Sequence, residues 1–258
     1  MKILTAFGAI RAIKNWPTYL KDYFKKIKKK HIVYLFRNGL KIKTRAGSSD
    51  RGILTEVHIL KIYQRHGIEI LPNDTVLEIG AHIGTFTILA SKKAKKVYSF
   101  EPYPENFNLL KENLALNKIT NVAPIRKAIT EKNGTSELYI SNINTGSHSI
   151  FPKSEKDNSV TVETTSLPDV MRTHKIKKIG LLKVDCEGAE YPIFFSLPDK
   201  TFEAIRQISM EYHPTEKYNI EQLKNLLQKH QFKVTMTRNK FRMIYAKKTA
   251  TSAKLMPP

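Results

Sequence analysis

Apolar positions in this chain change period several times, and the changes mark its elements. Over residues 1–30 they recur every three or four residues, at Ile3, Phe7 and Ile10, then at Trp16, Leu20, Tyr23 or Phe24, and Ile27. That is the spacing of an amphipathic helix. Pro17 fits the start of a second helix better than the interior of one. From residue 31 the pattern shortens. Ile32-Val33-Tyr34-Leu35-Phe36 and Leu40-Lys41-Ile42-Lys43 flank Arg37-Asn38-Gly39, and an Asn-Gly pair between two such runs predicts a hairpin. A polar loop follows over 46–52. Next comes a helix from about 54 to 66, with Val57, Ile59, Leu60 and Tyr63 on its apolar side and Gly67 as its C-cap.

Downstream, short apolar runs alternate with helical periods. Strands are expected at 75–79, 96–100, 122–126, 179–184 and 205–211, and helices at 84–92, 104–116, 189–195 and 219–230. Residues 232–237 and 242–246 read as two further strands joined by a tight basic turn. Such alternation predicts a parallel, helix-covered sheet. It breaks over 134–165, an insertion in which 136–140 and 160–164 look like strands around a Ser/Asn/Gly-rich loop. Residues 1–70 are expected to form an N-terminal extension and 71–248 the main domain, with 249–258 a disordered tail.

The centre of this pattern is Val76-Leu77-Glu78-Ile79-Gly80-Ala81-His82-Ile83-Gly84-Thr85-Phe86: a buried strand, a glycine turn and a helix start. Glycines there allow the backbone a close approach. A dinucleotide fingerprint would need glycine where His82 and Thr85 stand, and no Gly-Lys-Ser/Thr of a P-loop follows. What remains is E-x-G-x-x-x-G, with a second acid, Glu101, ending the next strand before Pro102. An acid at that place can accept hydrogen bonds from a ribose diol. Glycines for the amino-acid and ribose portions, with an acid for the ribose hydroxyls, form the pattern of an S-adenosylmethionine site.

The chain resembles the FkbM family of class I methyltransferases from about Leu35 to Lys247. The resemblance rests on Val76–Phe86, on Phe100-Glu101-Pro102-Tyr103-Pro104 with Asn106, Leu110 and Asn113, and on Lys127-Ala128-Ile129. Further blocks are Gly146-Ser147-His148-Ser149, Thr164–Asp169, Leu182-Lys183-Val184-Asp185-Cys186-Glu187-Gly188-Ala189-Glu190 and Met210-Glu211-Tyr212-His213, with Arg45, Asp50 and Glu56 upstream. It implies a Rossmann-like α/β fold: a doubly wound, mostly parallel seven-stranded sheet with helices on both faces, behind the N-terminal helices and hairpin. It also implies S-adenosylmethionine as methyl donor and a hydroxyl acceptor on a glycan, a glycolipid or a secondary metabolite.

Ligands of such sheets sit beyond the C-terminal strand ends. The expected cofactor site is Glu78, Gly80, Ala81, His82, Gly84, Thr85, Phe86, Glu101, Pro102, Asn106, Lys127, Ala128 and Asp185. Asp185 and Glu187 are expected at the polar centre and His213 as general base, since an imidazole has a suitable proton affinity near neutral pH. Ser147, His148, Glu190 and Glu211 are candidates for the acceptor. Plainer roles stand beside these. Glu78 could cap a turn, Glu187 and Glu190 could stabilise a helix start, and His213 could be an exposed turn residue. His82 reads as a packing or surface variant and Cys186 as a half-buried small residue. No metal is called for.

Composition adds a context for the acceptor. The 258 residues are 41% hydrophobic and 26% charged, with one cysteine, Cys186, so no intrachain disulfide is expected. No apolar run reaches the roughly 20 residues of a membrane span. The net charge of +21 is uneven: about +11 over residues 1–50, +8 over 229–258 and +2 between them. Basic ends suit an anionic partner, and equally a solvated lysine-rich face. The N-terminal helix could lie on an anionic membrane, or its aromatic stripe could pack on the domain behind it. The expectation is a cytoplasmic enzyme whose N-terminal helix packs on the domain, with contact at the inner face of an anionic membrane as the alternative. Nucleic acid is the lesser alternative, because the Asn/Asp-Pro-Pro-aromatic loop of base amino-group methylation is missing. A non-catalytic cofactor-binding module and a protein methyltransferase are further alternatives.

Overall fold

The computed structural model describes residues 3–141, 144–152 and 158–249. Of the expected tail at 249–258, Thr249 is described and bonds the Gln231 carbonyl, while 250–258 and the first two residues of the N-terminal helix lie outside the described residues. The chain opens with helices α1 (Ile3–Ala12) and α2 (Trp16–Tyr23), the second carrying Pro17 in its first turn, and the hairpin β1 (His31–Leu35) and β2 (Lys41–Arg45). The Asn-Gly turn sits where the pattern put it, with His31 opposite Arg45 and Leu35 opposite Lys41.

Over the lead-in the structure departs from the single helix expected for 54–66. Helix α3 (Asp50–Leu54) starts earlier, winds into a π-helical turn at Thr55–Ile59 and stops. Lys61 then takes a left-handed conformation (φ 51°) before a short 3₁₀ turn at Ile62–Gln64. The break turns Tyr63 away from helical register and inward, where it is buried.

The main sheet is built from β3 (Thr75–Ile79), β4 (Lys96–Phe100), β5 (Val122–Ile125), β9 (Leu181–Val184), β10 (Gln207–Glu211), β11 (Phe232–Arg238) and β12 (Arg242–Lys248). Its order is β11-β12-β10-β9-β3-β4-β5, and β12 runs antiparallel to both its neighbours. The other pairings are parallel. The order reverses beside β3, the topological switch point at which such sheets bind ligands. Helices α4 (Thr85–Ser91), α5 (Pro104–Leu116), α7 (Glu190–Phe195) and α9 (Ile220–Lys229) follow the periods read from sequence. Two helices were not expected, α6 (Leu167–Thr173) and α8 (Asp199–Ala204). The insertion forms a separate three-stranded sheet from β6 (Ala128–Thr130), β7 (Gly134–Tyr139) and β8 (Ser159–Ser166).

The core lies on both faces of the main sheet, because successive side chains of a strand point to opposite sides. Val76, Leu181, Met243 and Tyr245 enter one cluster; Leu77, Ile79, Leu182, Val184, Ile244 and Ala246 enter the other. A third cluster joins Ala9, Ile13, Tyr19 and Tyr34 of the N-terminal layer to Ala81, Ile88, Leu110 and Leu114. Of the stripe expected over residues 1–30, Trp16, Leu20 and Ile27 pack against this cluster, whereas Phe7 and Phe24 are exposed. Among the described residues no helix is long and apolar enough to cross a membrane.

Candidate active site

A cleft of about 810 Å³, open mouth included, lies at the C-terminal ends of β3, β4 and β9. Its floor is the glycine turn. Gly80 has φ +76°, and a Cβ there would stand 1.8 Å from the backbone oxygen of Asp185. At Gly84 (φ +84°) a Cβ would meet Leu110 Cδ1 at 2.3 Å. Both glycines thus permit chain-to-chain contact: the first lets the ends of β3 and β9 touch, and the second seats α4 against α5. Gly84 lies behind the cleft wall, whereas Gly80, Ala81, His82, Thr85 and Phe86 line it.

Glu78 is fully buried under this turn. Its Oε2 accepts from the hydroxyls of Thr87 (2.6 Å) and Ser99 (3.2 Å), while Oε1 is buried without a hydrogen-bond partner. Burial pushes its pKa up to about 7, against the pull of Lys183. Glu101, at the end of β4, accepts from the backbone N–H of His82 (2.7 Å) and of Tyr103 (3.0 Å). Burial raises it to about 7 as well, with those two bonds opposing.

His82 has φ 52° and a buried ring. Its Nε2 meets the Arg45 guanidinium at 3.1 Å and the Thr145 hydroxyl at 3.2 Å, and its Nδ1 is buried without a partner. Burial lowers its pKa to about 4, outweighing the charge of Asp50, so the ring is neutral. Arg45 also donates to both oxygens of Asp50 (2.9 Å each) and to Asn106 Oδ1 (2.8 Å). Thr145 closes the network by donating to Asp50 Oδ1 at 2.7 Å, and Asn106 Nδ2 donates to the Thr145 carbonyl at 3.0 Å. The lead-in, the glycine turn, α5 and the insertion are thereby tied over one side of the cleft. His82 and Asn106 are expected cofactor-site residues, Arg45 and Asp50 are marked by resemblance without a role, and Thr145 is the member that the sequence does not single out. The network bonds residues up to 95 positions apart, which no local pattern reveals.

On the other side stands Asp185, a side chain 27% exposed. Burial favours its neutral form, but Lys183, His213 and a hydrogen bond from Tyr63 together hold its pKa below the ordinary carboxylate value. The Tyr63 hydroxyl donates to Asp185 Oδ2 at 2.7 Å and stands 3.5 Å from Glu211 Oε2. Lys183 Nζ donates to the Gly80 carbonyl at 2.7 Å, lies 3.6 Å from Asp185 and sits 5.0 Å from the centre of the Tyr63 ring. Tyr63 and Lys183 were missed as site residues. A lysine inside the apolar run Leu181-Leu182-Lys183-Val184 was a readable signal, whereas Tyr63 looked like one more apolar helix position.

The acid and imidazole candidates take different places. Glu187 lines the cleft from a left-handed backbone (φ 53°). Glu190 is fully buried beneath it, accepting from Gly188 N–H (2.9 Å), His213 N–H (2.6 Å) and His213 Nδ1 (3.0 Å). Its carboxylate is committed to the protein, which leaves the acceptor role with its neighbours. His213 sits behind the wall, 3.6 Å from Glu187. Burial alone would lower its pKa; the bond and charge of Glu190, with Glu187 and Asp185, overcome this and carry it up to about 10. At neutral pH that ring is a cation without capacity to take a proton, contrary to the general-base expectation. Glu211 also lies outside the lining, and burial with the charge of Asp185 raises it to about 8.

Pro102, Asn106, Lys127 and Ala128 line the end beyond Glu101, with Lys127 paired to Glu163 at 2.9 Å. The insertion sends Gly146, His148 and Ile150 to the wall but not Ser147. His148 packs edge-on against Tyr103, ring centres 4.4 Å apart, and its Nδ1 accepts from Ser141 N–H at 3.0 Å.

A family model, described as the methyltransferase FkbM domain, matches residues 78–236, which span every one of these strand ends. The chain belongs to the FkbM methyltransferase family. The 31-O-demethyl-FK506 methyltransferase FkbM of Streptomyces tacrolimicus is 25% identical over 189 residues, covering 61% of this chain and 72% of that protein. The hexuronic acid methyltransferase AglP of Haloferax volcanii is 28% identical over 142 residues, 55% of this chain and 56% of that one. Among solved structures, the methyltransferase FkbM of Methylobacillus flagellatus superimposes with a TM-score of 0.51 at 11% identity. That match covers 76% of this chain and 53% of the other, and it speaks for the fold alone.

Proposed function

We propose that this FkbM-family protein is an S-adenosylmethionine-dependent O-methyltransferase whose acceptor is a sugar hydroxyl of a glycan or glycolipid. The observation that carries the reading is a pair of buried polar atoms without hydrogen-bond partners, Glu78 Oε1, with Lys183 Nζ 4.0 Å from it, and His82 Nδ1, at the wall of a cleft that ends on Asp185. Buried polar atoms without partners are rare in folded proteins. With Nε2 accepting from Arg45, the His82 ring carries its proton on Nδ1. Glu78 then offers an acceptor and His82 a donor, a set that suits the amino-acid end of the cofactor. Glu101, with further acceptor capacity at the end of β4, suits a ribose diol.

When bound, S-adenosylmethionine supplies a methyl group already activated for in-line displacement. The residues then have to align an acceptor oxygen and receive its proton. Asp185 is the group for this: it is ionised, it faces the cleft, and one of its oxygens is pinned by Tyr63. Glu187 lines the same wall and orients the acceptor. His213, a fixed cation, holds Asp185 ionised by its charge and shapes the Glu187 loop through Glu190. Support for a sugar acceptor comes from the name of the Haloferax relative, which acts on a hexuronic acid.

The test is transfer of labelled methyl from S-adenosylmethionine to purified glycolipid and to total RNA. Label in glycolipid is expected, lost in Asp185→Asn and retained in part in His213→Gln. Label in RNA alone would sink the sugar reading. Full activity of Asp185→Asn with none in His213→Gln would return the base role to the imidazole.

A further inference from the structure

The N-terminal layer has an electrostatic character of its own. Residues 1–50 carry 13 Lys/Arg and two acids, and both acids are buried. Asp22 accepts from the Tyr34 hydroxyl (2.6 Å) and Gly47 N–H (2.7 Å), and Asp50 belongs to the Arg45 network. Internal bonds therefore use up the negative charge of this stretch, and its outward charge is of one sign. Where α2 ends, the run Phe24-Lys25-Lys26-Ile27-Lys28-Lys29-Lys30 leads to β1 with all five lysines exposed.

The same layer carries the two most exposed large apolar side chains among the described residues, Phe7 at 59% and Phe24 at 61%. Trp16, Tyr19 and Leu20 pack inward, so these two rings are what the fold leaves out. One face of each ring carries a cation: the Arg11 guanidinium lies 5.7 Å from the centre of Phe7, and Lys26 Nζ lies 5.9 Å from that of Phe24. Phenyl rings flanked by lysines and arginines match a bilayer interface, where rings enter the headgroup boundary and cations meet lipid phosphates.

We infer that this layer docks the protein on an anionic lipid surface. Phe7 and Phe24 enter the headgroup region, and Lys25, Lys26, Lys28, Lys29 and Lys30 meet its negative charge. The surface adjoins the cleft. The Tyr19 hydroxyl bonds Thr55 at 2.8 Å, and Arg51 lies over the rings of Tyr19 (5.4 Å) and Tyr23 (4.8 Å). That same helical segment supplies Ile53 and Val57 to the cleft wall. The inference stands on this surface alone and holds whatever the acceptor is.

The test is co-sedimentation of the full chain with vesicles of phosphatidylcholine, with and without about 30% phosphatidylserine. Binding is expected only to the anionic vesicles and weakens as salt rises. Replacing Lys25, Lys26, Lys28 and Lys29 by Gln should lower partitioning by about fivefold per lysine. Phe7→Ala with Phe24→Ala should lower it by about tenfold. Circular dichroism and the thermal midpoint should match the parent in both variants, since the changed side chains are exposed. Equal binding to neutral vesicles would overturn the inference, as would unchanged partitioning in either variant. RNA binding without vesicle binding would also overturn it, and so would a dimer that the phenylalanine variant dissolves without any vesicle binding.

Discussion

Replacing Glu190 by glutamine should turn His213 from a fixed cation into a titrating imidazole. The parent ring has a pKa of about 10 against an ordinary 6.5, so the fold favours the protonated ring by roughly 4–5 kcal/mol. Glutamine is close in size, and its single amide oxygen can keep the bond from His213 N–H while the bond from Gly188 N–H to the other oxygen is lost. It removes the charge 3.0 Å from Nδ1. Glu187 and Asp185 remain, so the pKa should fall by roughly 1–3 units. Because the folded-state value is raised, the stability it contributes is complete below the unfolded pKa of 6.5 and is lost as pH rises through about 10. Urea unfolding across that window should therefore show the parent losing stability with rising pH. Glu190→Gln should be less stable at the acid end and lose less across the window. Proton–carbon NMR of the His213 ring reads the same pKa directly. A parent ring titrating near 6.5, or equal pH slopes in the two proteins, would refute the assignment and reopen the general-base role of His213.

Gly80→Ala should cost at least about 3 kcal/mol in chemical denaturation, because the new Cβ overlaps the Asp185 carbonyl at 1.8 Å in a left-handed backbone. Tyr63→Phe keeps the ring on Lys183 but removes a bond that lowers the Asp185 pKa. The acid limb of the pH–rate profile should move up by roughly one unit with little change in thermal midpoint. Glu101→Gln should weaken S-adenosylmethionine binding by about 10- to 100-fold in isothermal titration; unchanged affinity would remove it from the ribose site. Arg45→Ala strands Asp50, fully buried, and should destabilise the fold by about 3–5 kcal/mol.

Much of the fold was readable because its rules are local. Parallel strands buried on both faces are short apolar runs, and β3 and β4 fall at the residues expected for them. The Asn-Gly hairpin and the Pro17 helix start follow from backbone preference alone. The lead-in was misread for the opposite reason. Its apolar spacing suits one helix over 54–66, but a π turn and a left-handed Lys61 break it, and the hydrogen bond from Tyr63 to Asp185 accompanies the break. That partner is 122 residues away. β6 was missed because three residues carry no period, and it exists by pairing with β8 across the insertion.

The sequence by itself determined the sheet, the glycine turn, the two acids at the strand ends and a family to which the chain does belong. Each of these is written in neighbouring residues, as a backbone conformation or an apolar period. Only the tertiary structure decided what each polar group can do. His213 and Asp185 are both titratable residues at strand ends in the sequence; in the fold one is locked as a cation by Glu190 and the other is held as an anion facing the cleft. Glu190 was expected at the acceptor and is instead the buried partner that fixes His213. Protonation depends on burial and on charges a few ångströms away, and those distances are set by the packing of segments that the sequence keeps far apart.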